Sequence, residues 1–176
     1  YQDVIDMKRK PPRIYVIQAH AKQAQYFDYA KADTIPFLET FHALLDDREN
    51  RPYLDVINHQ MALFYDKQKN QPQAKKYYIA SLDATSKDAY LNASNYRNLA
   101  DIFFDEAQYS TAGKYYDSTM VHLKPRTREF NLIKKKRENL IDVIKYEGIA
   151  TRNESVISVY NMSKPQQIAY YEDYIA

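Results

Sequence analysis

The feature that most constrains the fold of this chain is an internal repetition in which residues 38 positions apart match. A displacement of the sequence by this period brings identical or chemically similar residues together. Such a period indicates that one supersecondary unit is repeated, because each unit buries its apolar face by stacking on its neighbours. The matched pairs are Met61 and Leu99, Ala62 and Ala100, Tyr65 and Phe103, Ala74 and Ala112, Tyr77 and Tyr115, Tyr78 and Tyr116, and Ser81 and Thr119.

The pattern inside each unit predicts an all-α fold of helical hairpins. Ala100 is followed three positions on by Phe103, and after a turn Ala112 is followed four positions on by Tyr116. This order is typical of the tetratricopeptide repeat, in which small side chains let two antiparallel helices approach and aromatic rings fill the space around them. The period exceeds the usual length of about 34 residues, which predicts one extra helical turn near residues 86–92. We therefore expect a right-handed tetratricopeptide superhelix with a helical C-terminal extension.

The same register divides the whole chain, 1–176, into a single array. We expect a degenerate repeat over 12–51, repeats over 55–92 and 93–125, and a helical capping extension over 126–176. The second helix of the first repeat fits one residue out of step, with Phe37 and Phe41. Glu138 falls where a small residue is needed, so we expect the register to end at Pro125.

Local signals predict the helices outside the two clear repeats. We expect a helix over 12–32, and a second one capped by Thr34. After Pro125 a long helix should run to about Gly148, where the chain can turn. Two shorter helices should follow, over 156–160 and from a capping box at Ser163 to Tyr174, and cover the open face of the last repeat.

The composition excludes several classes of site. The sequence has no Cys and 2 Gly, which rules out disulfides, thiolate metal sites and glycine-rich phosphate loops. The four histidines lack the spacing of a metal site, and no catalytic motif is present. We therefore expect no enzyme activity, no cofactor, no metal and no small-molecule substrate.

A repeat array of this kind binds other proteins through side chains on its first helices. The mixed polarity of these side chains indicates a peptide or protein partner. An adaptor for the carboxyl terminus of a chaperone is an alternative, but that clamp needs lysine with asparagine and lysine with arginine one turn apart, which this face lacks. The expected groove residues are His59, Leu63, Asp66, Arg97, Asp101 and Phe104, with Lys134 of the long helix as a further candidate.

A basic segment between Lys124 and Glu138 suggests a second alternative. It holds seven basic and two acidic residues, 7 − 2 = +5, in a chain whose net charge is +2. Such a run can bind nucleic acid or an anionic surface. The simpler interpretation is the solvated face of a helix, and we expect no nucleic-acid partner.

Part of the sequence also resembles a known family. The segments NYRNLADIFFDEAQYSTAGKYYDST, IKKKRENLIDVIKYEGIATRNES and VYNMS, within about 92–163, resemble the SprE/PorW family, tetratricopeptide lipoproteins of gliding motility and type IX protein secretion in Bacteroidota. The resemblance implies a periplasmic scaffold, anchored in the outer membrane through a lipid, that couples the secretion translocon to periplasmic ring components. No catalytic residue carries over. Since the chain begins at Tyr1, we expect the anchor to lie outside it.

Overall fold

A computed structural model describes residues 1–8, 10–28 and 33–175, and shows an all-α chain. This part of the chain contains no strand, and the prediction of an all-α fold is confirmed. The helices are α1 (Gln2–Asp6), α2 (Arg13–Gln25), α3 (Thr34–Asp46), a 3-10 segment (Arg48–Tyr53), α4 (Leu54–Lys67), α5 (Gln71–Asp83), α6 (Ala89–Asp105), α7 (Tyr109–His122), α8 (Arg128–Tyr160) and α9 (Lys164–Ile175).

The turn between α4 and α5 recurs one period later, between α6 and α7. Lys69 and Ala107 both have left-handed backbones, with φ of 60° and 59°. The next amide in each turn, of Asn70 or Gln108, donates to a carbonyl five positions back at 2.9 Å. This is the hydrogen bonding that commonly closes a helix end. The period of the sequence therefore returns in the structure as a repeated hairpin.

We expect Ala107→Gly to stabilise the chain by up to about 1 kcal/mol, because a Cβ atom is strained in the left-handed region and glycine is not. Lys69→Gly should act in the same direction at the equivalent turn. A matched control is Ala80→Gly inside α5, which should lower stability by about 1 kcal/mol. Urea unfolding measures all three variants. A loss of stability in both turn variants would contradict the repeated turn.

Within each of these hairpins the two helices run antiparallel and meet at alanines. The Tyr78 hydroxyl donates to Asp66 near the end of α4, whereas the Ser81 hydroxyl donates to the Asp55 carbonyl near its start. Ala62 and Ala74 belong to one core cluster, and both are fully buried. Ala100 and Ala112 hold the same positions in the α6/α7 hairpin. Small side chains at these places let the helix axes come close together.

The first pair of helices, α2 and α3, lacks this alanine pair and does not pack closely together, and both helices pack on α4 instead. Phe37 and Phe41 stand where the later hairpins have alanine and tyrosine. The Phe37 ring stacks on Phe41 at 4.5 Å and on Phe64 of α4 at 4.4 Å between ring centroids. Aromatic rings, rather than close helix contact, therefore join α2, α3 and α4 into one core cluster.

The predictions for the N-terminal helices need two corrections. The helix expected over 12–32 ends at Gln25, and residues 29–32 of that prediction lie outside the described residues. Thr34 is the first residue of α3 and does not cap it. The N-cap is Asp33, whose carboxylate accepts the Ile35 amide at 3.0 Å. An aspartate oxygen satisfies a free amide of the first turn as a threonine hydroxyl would.

The prediction that the long helix ends near Gly148 is wrong. α8 is continuous over 33 residues and includes the segment 156–160, which was expected to form a separate helix. A glycine costs a helix interior about 1 kcal/mol, which a long helix tolerates, and no proline follows until Pro165. Gly148 also has no neighbour within 4 Å of an added Cβ position, so nothing nearby forces a turn there.

The repeat register extends past Pro125, contrary to expectation. Ile133 and Leu140 of α8 stand 38 positions after Asn95 and Ile102 of α6, which pack on the preceding hairpin. Both are 3% exposed, and their counterparts on α6 are buried as well. The first half of α8 therefore occupies the position of a fourth first helix, after α2, α4 and α6. Glu138 stands 38 positions after Ala100, where the earlier first helices have a small residue. Among the described residues, no second helix packs against α8 at Glu138, so a large side chain fits there.

The C-terminal helices do not cover the last repeat as expected. The Ser163 amide donates to the Gln166 side chain at 3.0 Å, which is the predicted capping box. However, α9 is joined to α8 only near the C-terminal end of that helix, where the Gln167 side-chain amide donates to the Val159 carbonyl at 2.9 Å, and the two helices do not pack closely along their length. The surface between α7 and α8, which includes Met120 and Phe130, stays open.

Candidate protein-binding face

The first helices α4, α6 and the first half of α8 share a polar surface, which we call the first-helix face. Tyrosine hydroxyls from the second helices α5 and α7 donate hydrogen bonds to carboxylates on this face. The Tyr78 hydroxyl donates to Asp66 at 3.2 Å, and the Tyr116 hydroxyl donates to Asp101 at 2.5 Å. The Lys136 amine of α8 donates to the same Asp101 oxygen at 2.7 Å. These contacts fix the carboxylates of α4 and α6 in place.

Each of these tyrosines is also held by the next first helix. The Asn98 amide donates to the Tyr78 hydroxyl at 3.0 Å. Lys136, one period after Asn98, lies 5.6 Å from the centre of the Tyr116 ring. A cation over an aromatic face is attracted by the ring's negative charge density. Asn98 and Lys136 therefore occupy equivalent positions, and each one joins its helix to the tyrosine of the preceding hairpin at the edge of the first-helix face.

The first-helix face is acidic around Asp66. Burial raises the pKa of Asp66 above its ordinary value, the Tyr78 hydrogen bond and the Lys69 charge oppose that shift, and the neighbouring carboxylates of Asp101 and Asp105 add to it. Burial, together with the hydrogen bond to Asp101, raises the pKa of Tyr116. Burial also raises the pKa of Tyr78, so both tyrosines remain neutral donors at physiological pH. Lys69 near Asp66 and Lys136 at Asp101 offset part of the negative charge of the three carboxylates.

An apolar cleft opens beside this acidic region, between α6 and α8. Its volume is about 310 Å³. Phe104 is 44% exposed and packs edge-on against the Tyr109 ring, with 5.5 Å between centroids. Leu140 and Val143 form the opposite wall, and Lys136 lies at the polar rim with Asn139. The first-helix face thus combines carboxylates with a place for one apolar side chain.

His59 does not project into a groove, which corrects the prediction. The side chain is 8% exposed because α6 packs over it. Its Nδ1 lies 2.6 Å from the Asn95 side-chain oxygen. The Asn95 amide donates to the Ser81 hydroxyl at 2.7 Å, so the oxygen faces His59 and Nδ1 carries the donated proton. His59 belongs to a buried hydrogen-bond chain between hairpins.

Burial of His59 makes the stability of the chain depend on pH. Burial lowers its pKa in the folded chain, as does the nearby Arg97, although the Asn95 hydrogen bond opposes them. Below the unfolded value of about 6.5 the unfolded chain binds a proton that the folded chain does not, so stability falls as pH falls. His20, whose pKa burial also lowers, acts in the same direction. The raised pKa of Asp66 acts in the opposite direction at more acidic pH.

We expect the free energy of unfolding to fall between about pH 6.5 and 5.5 by at most about 1.4 kcal/mol for each such histidine. His59→Gln should reduce this pH dependence, although it also lowers stability. His42→Gln is the matched control because His42 is exposed. Urea unfolding at two pH values measures both variants. An equal pH dependence in the wild-type chain and His59→Gln would refute the assignment.

The other predicted groove residues lie in three different settings. Leu63 is half-buried against the core cluster of Tyr78. Arg97 forms an ion pair with Glu129 of α8 at 2.8 Å, so it joins α6 to α8. Lys134 pairs with Glu138 at 3.7 Å and lies on the open surface between α7 and α8, away from α6. The residues that the structure brings to one face are Asp66, Asp101 and Phe104, together with Lys136 rather than Lys134.

Sequence reasoning missed Asp105, Lys136, Asn139 and Val143. The signal for Lys136 was present, because it stands one period after Asn98. The mismatch at Glu138 hides this signal, because it predicts that the register ends before α8. The other three follow only once α8 is placed beside α6, since their places on this face depend on helices that are distant in sequence.

The basic segment is partly neutralised by ion pairs. Lys136 pairs with Asp101, and Arg137 pairs with Asp117 of α7 at 2.9 Å. Together with the pair of Lys134 and Glu138, three of the seven basic side chains have acidic partners. The segment therefore serves to bind α8 to α6 and α7, and it presents a weaker positive surface than its composition indicates.

In residues 1–8, 10–28 and 33–175, no helix has the length and apolar character needed to cross a membrane. In the same ranges, no three His, Asp or Glu side chains are grouped so as to hold a metal ion.

No protein-family model matches the chain, and no curated protein matches it significantly.

Proposed function

We propose that this chain is a tetratricopeptide superhelix that acts as a non-enzymatic, protein-binding scaffold. Its hairpins are α2/α3, α4/α5 and α6/α7, followed by the helical extension of α8 and α9. The observation that supports this proposal most strongly is the hairpin turn that occurs at Lys69 and again, one period later, at Ala107. Helices stacked at a fixed period form an extended surface suited to binding a chain segment.

The partner that the first-helix face favours is a peptide segment with one basic and one apolar side chain. The basic group would lie near Asp66 and Asp105, where the carboxylates already repel one another. The apolar group would enter the cleft between Phe104 and Val143. An apolar anchor in a pocket with charges at its rim is a common arrangement for binding specificity.

The resemblance to the SprE/PorW family extends the proposal to a cellular role. We propose that the chain works in the periplasm of a Bacteroidota cell as part of a type IX secretion and gliding complex. Its partners are translocon or periplasmic ring proteins, and its attachment to the outer membrane lies outside these residues. The absence of a glycine-rich phosphate loop and of cysteine chemistry is compatible with a scaffold.

An affinity pull-down tests both levels of the proposal. The tagged chain is incubated with detergent-solubilised envelopes of a gliding Bacteroidota species at low and high salt, and bound proteins are identified by mass spectrometry. We expect type IX translocon or ring proteins at both salt concentrations, because a mixed interface depends weakly on salt. Capture of only nucleic acid and ribosomal proteins, released at high salt, would favour a polyanion binder instead.

Two variants test the first-helix face in the same experiment. Phe104→Asp and Asp105→Lys should each reduce recovery of the partner by about tenfold, as expected for loss of an anchor or a charge contact. Ile79→Asp is the matched control, because Ile79 on the second helix α5 is 41% exposed and Phe104 is 44% exposed. Equal recovery with all three variants would place the binding surface elsewhere.

A further inference from the structure

The second half of α8 exposes apolar side chains that nothing else in the described part of the chain covers. The two residues that α8 buries, Ile133 and Leu140, both lie in its first half. Contiguous apolar surface in contact with solvent is typical of an interaction site. The exposed residues of the second half include Tyr146 at 63%, Ile149 at 47%, Val156 at 61% and Tyr160 at 81%.

These four residues and Asn153 form one stripe along the helix, which we call the α8 stripe. They are spaced alternately three and four positions apart, which is the a and d spacing of helices that pair in a coiled coil. Asn153 is the only polar member of the stripe. Toward the first half of α8 the same positions carry Lys135, Asn139 and Asp142. The stripe therefore ends at Tyr146 and is about 22 Å long.

The α8 stripe faces away from the repeat array. Leu140 packs into the core cluster of α6 and α7. Ile149 follows it by nine positions, and a rotation of about 100° per residue carries Ile149 to the opposite side of the helix. Another helix can therefore lie along the stripe without meeting the α6/α7 hairpin.

The two sides of the α8 stripe carry opposite charges. Arg152 borders one side, whereas Glu154 borders the other, next to Ile157, which is 58% exposed. Residues two positions apart do not face each other on a helix. Within the described residues neither Arg152 nor Glu154 forms an ion pair. Both charges are therefore available to a helix that binds along the stripe.

We propose that the helix covering the α8 stripe is the same helix of a second copy of this chain, with the two α8 helices parallel. In parallel helices the Arg152 side of one copy lies next to the Ile157 and Glu154 side of the other. The aliphatic part of Arg152 then covers Ile157 of the second copy, and its guanidinium meets Glu154 there. The two-fold symmetry of the pair forms this contact twice.

Asn153 favours an assembly of two copies. In the parallel pair the two Asn153 side chains meet, and an amide N–H of one can be donated to the side-chain carbonyl of the other. A single polar residue at such a position fixes the register and the number of helices, at some cost in stability. Because both copies use the same stripe, the contact closes on itself and leaves no stripe free for a third copy.

The charges disfavour the antiparallel arrangement, because it would bring the Arg152 side of one copy against the Arg152 side of the other. The stripe is short for a coiled coil, so we expect a Kd in the micromolar range. Association does not have to form the helix, since packing on α6 and α7 already holds α8 in place. The unfavourable nucleation of an isolated short helix therefore does not oppose the contact.

This inference does not depend on the first-helix face or on the proposed secretion partner. Phe104→Asp, which tests partner binding, should leave self-association unchanged, because Phe104 is not part of the α8 stripe. Loss of self-association would in turn leave the scaffold proposal standing.

Light scattering coupled to size-exclusion chromatography tests the contact across the micromolar range. The mass of the wild-type chain should rise with concentration from 20.8 kDa to twice that value and no further. Ile149→Asp and Val156→Asp should each weaken association at least about a hundredfold, since a carboxylate without a partner is costly to bury. Thr151→Asp is the matched control, because Thr151 is exposed on the same half of α8 but lies outside the stripe. It should associate like the wild-type chain.

Single cysteines, in a chain that has none, test the direction of the pair. Tyr160→Cys places a thiol at one end of the α8 stripe. Parallel helices bring the two copies of this position together, whereas antiparallel helices hold them apart. Under mild oxidation the variant should therefore form a disulfide-linked dimer. Thr151→Cys, on the opposite side of the helix, should migrate as a monomer on a denaturing gel.

Three results would overturn the proposal. The first is a wild-type chain that stays monomeric across the micromolar range, including one whose stripe captures a different protein instead. The second is association that survives both Ile149→Asp and Val156→Asp. The third is a Tyr160→Cys variant that associates but does not form the disulfide.

Discussion

Tyr78→Ala should lower the free energy of unfolding by about 3 to 5 kcal/mol, which is the usual cost of removing a large buried ring. Tyr78 is fully buried in the core cluster between the two central hairpins. Its hydroxyl also joins Asp66 of one hairpin to Asn98 of the next. The loss is large compared with the total stability of about 5 to 15 kcal/mol for a typical domain.

Two further variants separate the contributions of the ring and the hydroxyl. Tyr78→Phe keeps the ring and should cost about 1 to 3 kcal/mol, because Asp66 and Asn98 lose their shared partner. Tyr90→Ala removes a tyrosine that is 64% exposed and should change stability by less than about 0.5 kcal/mol. Chemical denaturation measures all three. Equal effects of Tyr78→Ala and Tyr90→Ala would mean that Tyr78 does not join the hairpins.

Ala112→Leu should destabilise the chain by about 1 to 3 kcal/mol through overpacking. Ala112 and Ala100 are both fully buried, in the same core cluster, where α6 and α7 meet. The larger side chain at this point must push the two helices apart. Ala100→Leu should have an effect of similar size from the opposite helix.

The matched control for these variants is Ala89→Leu, at the exposed first residue of α6. The same chemical change there meets no neighbouring helix and should leave the melting temperature nearly unchanged. Unchanged melting of both Ala100→Leu and Ala112→Leu would show that the alanine pair is not the closest contact of the hairpin.

Much of the helical architecture could be predicted because it depends on local patterns. Ala100, Ala112 and Tyr116 recur at the right spacing, and the structure buries all three. The course of α8 could not be predicted in this way. Gly148 is compatible with either a turn or a continuous helix, and α8 runs through it without a break.

The candidate face was harder to predict than the helices. The spacing of the outward-facing positions on α4 predicts that His59 projects into the groove. In the structure α6 packs over α4 and buries His59 against Asn95. That contact joins two separate helices and leaves no trace in the local sequence of either one. The spacing predicts that Asp66 and Asp101 lie on one face, but the hydroxyls that hold these carboxylates belong to Tyr78 and Tyr116, which come from other helices.

The continuous helix α8 also has a mechanical consequence. Its 33 residues form a rod of about 50 Å, with Lys136 near one end on the first-helix face and Tyr160 at the other end beside α9. A rigid rod fixes both the distance and the rotational phase between whatever is held at its two ends. One inserted residue would turn one end relative to the other by about 100° while lengthening the rod by about 1.5 Å. Orientation is therefore far more sensitive than separation to insertions in this helix.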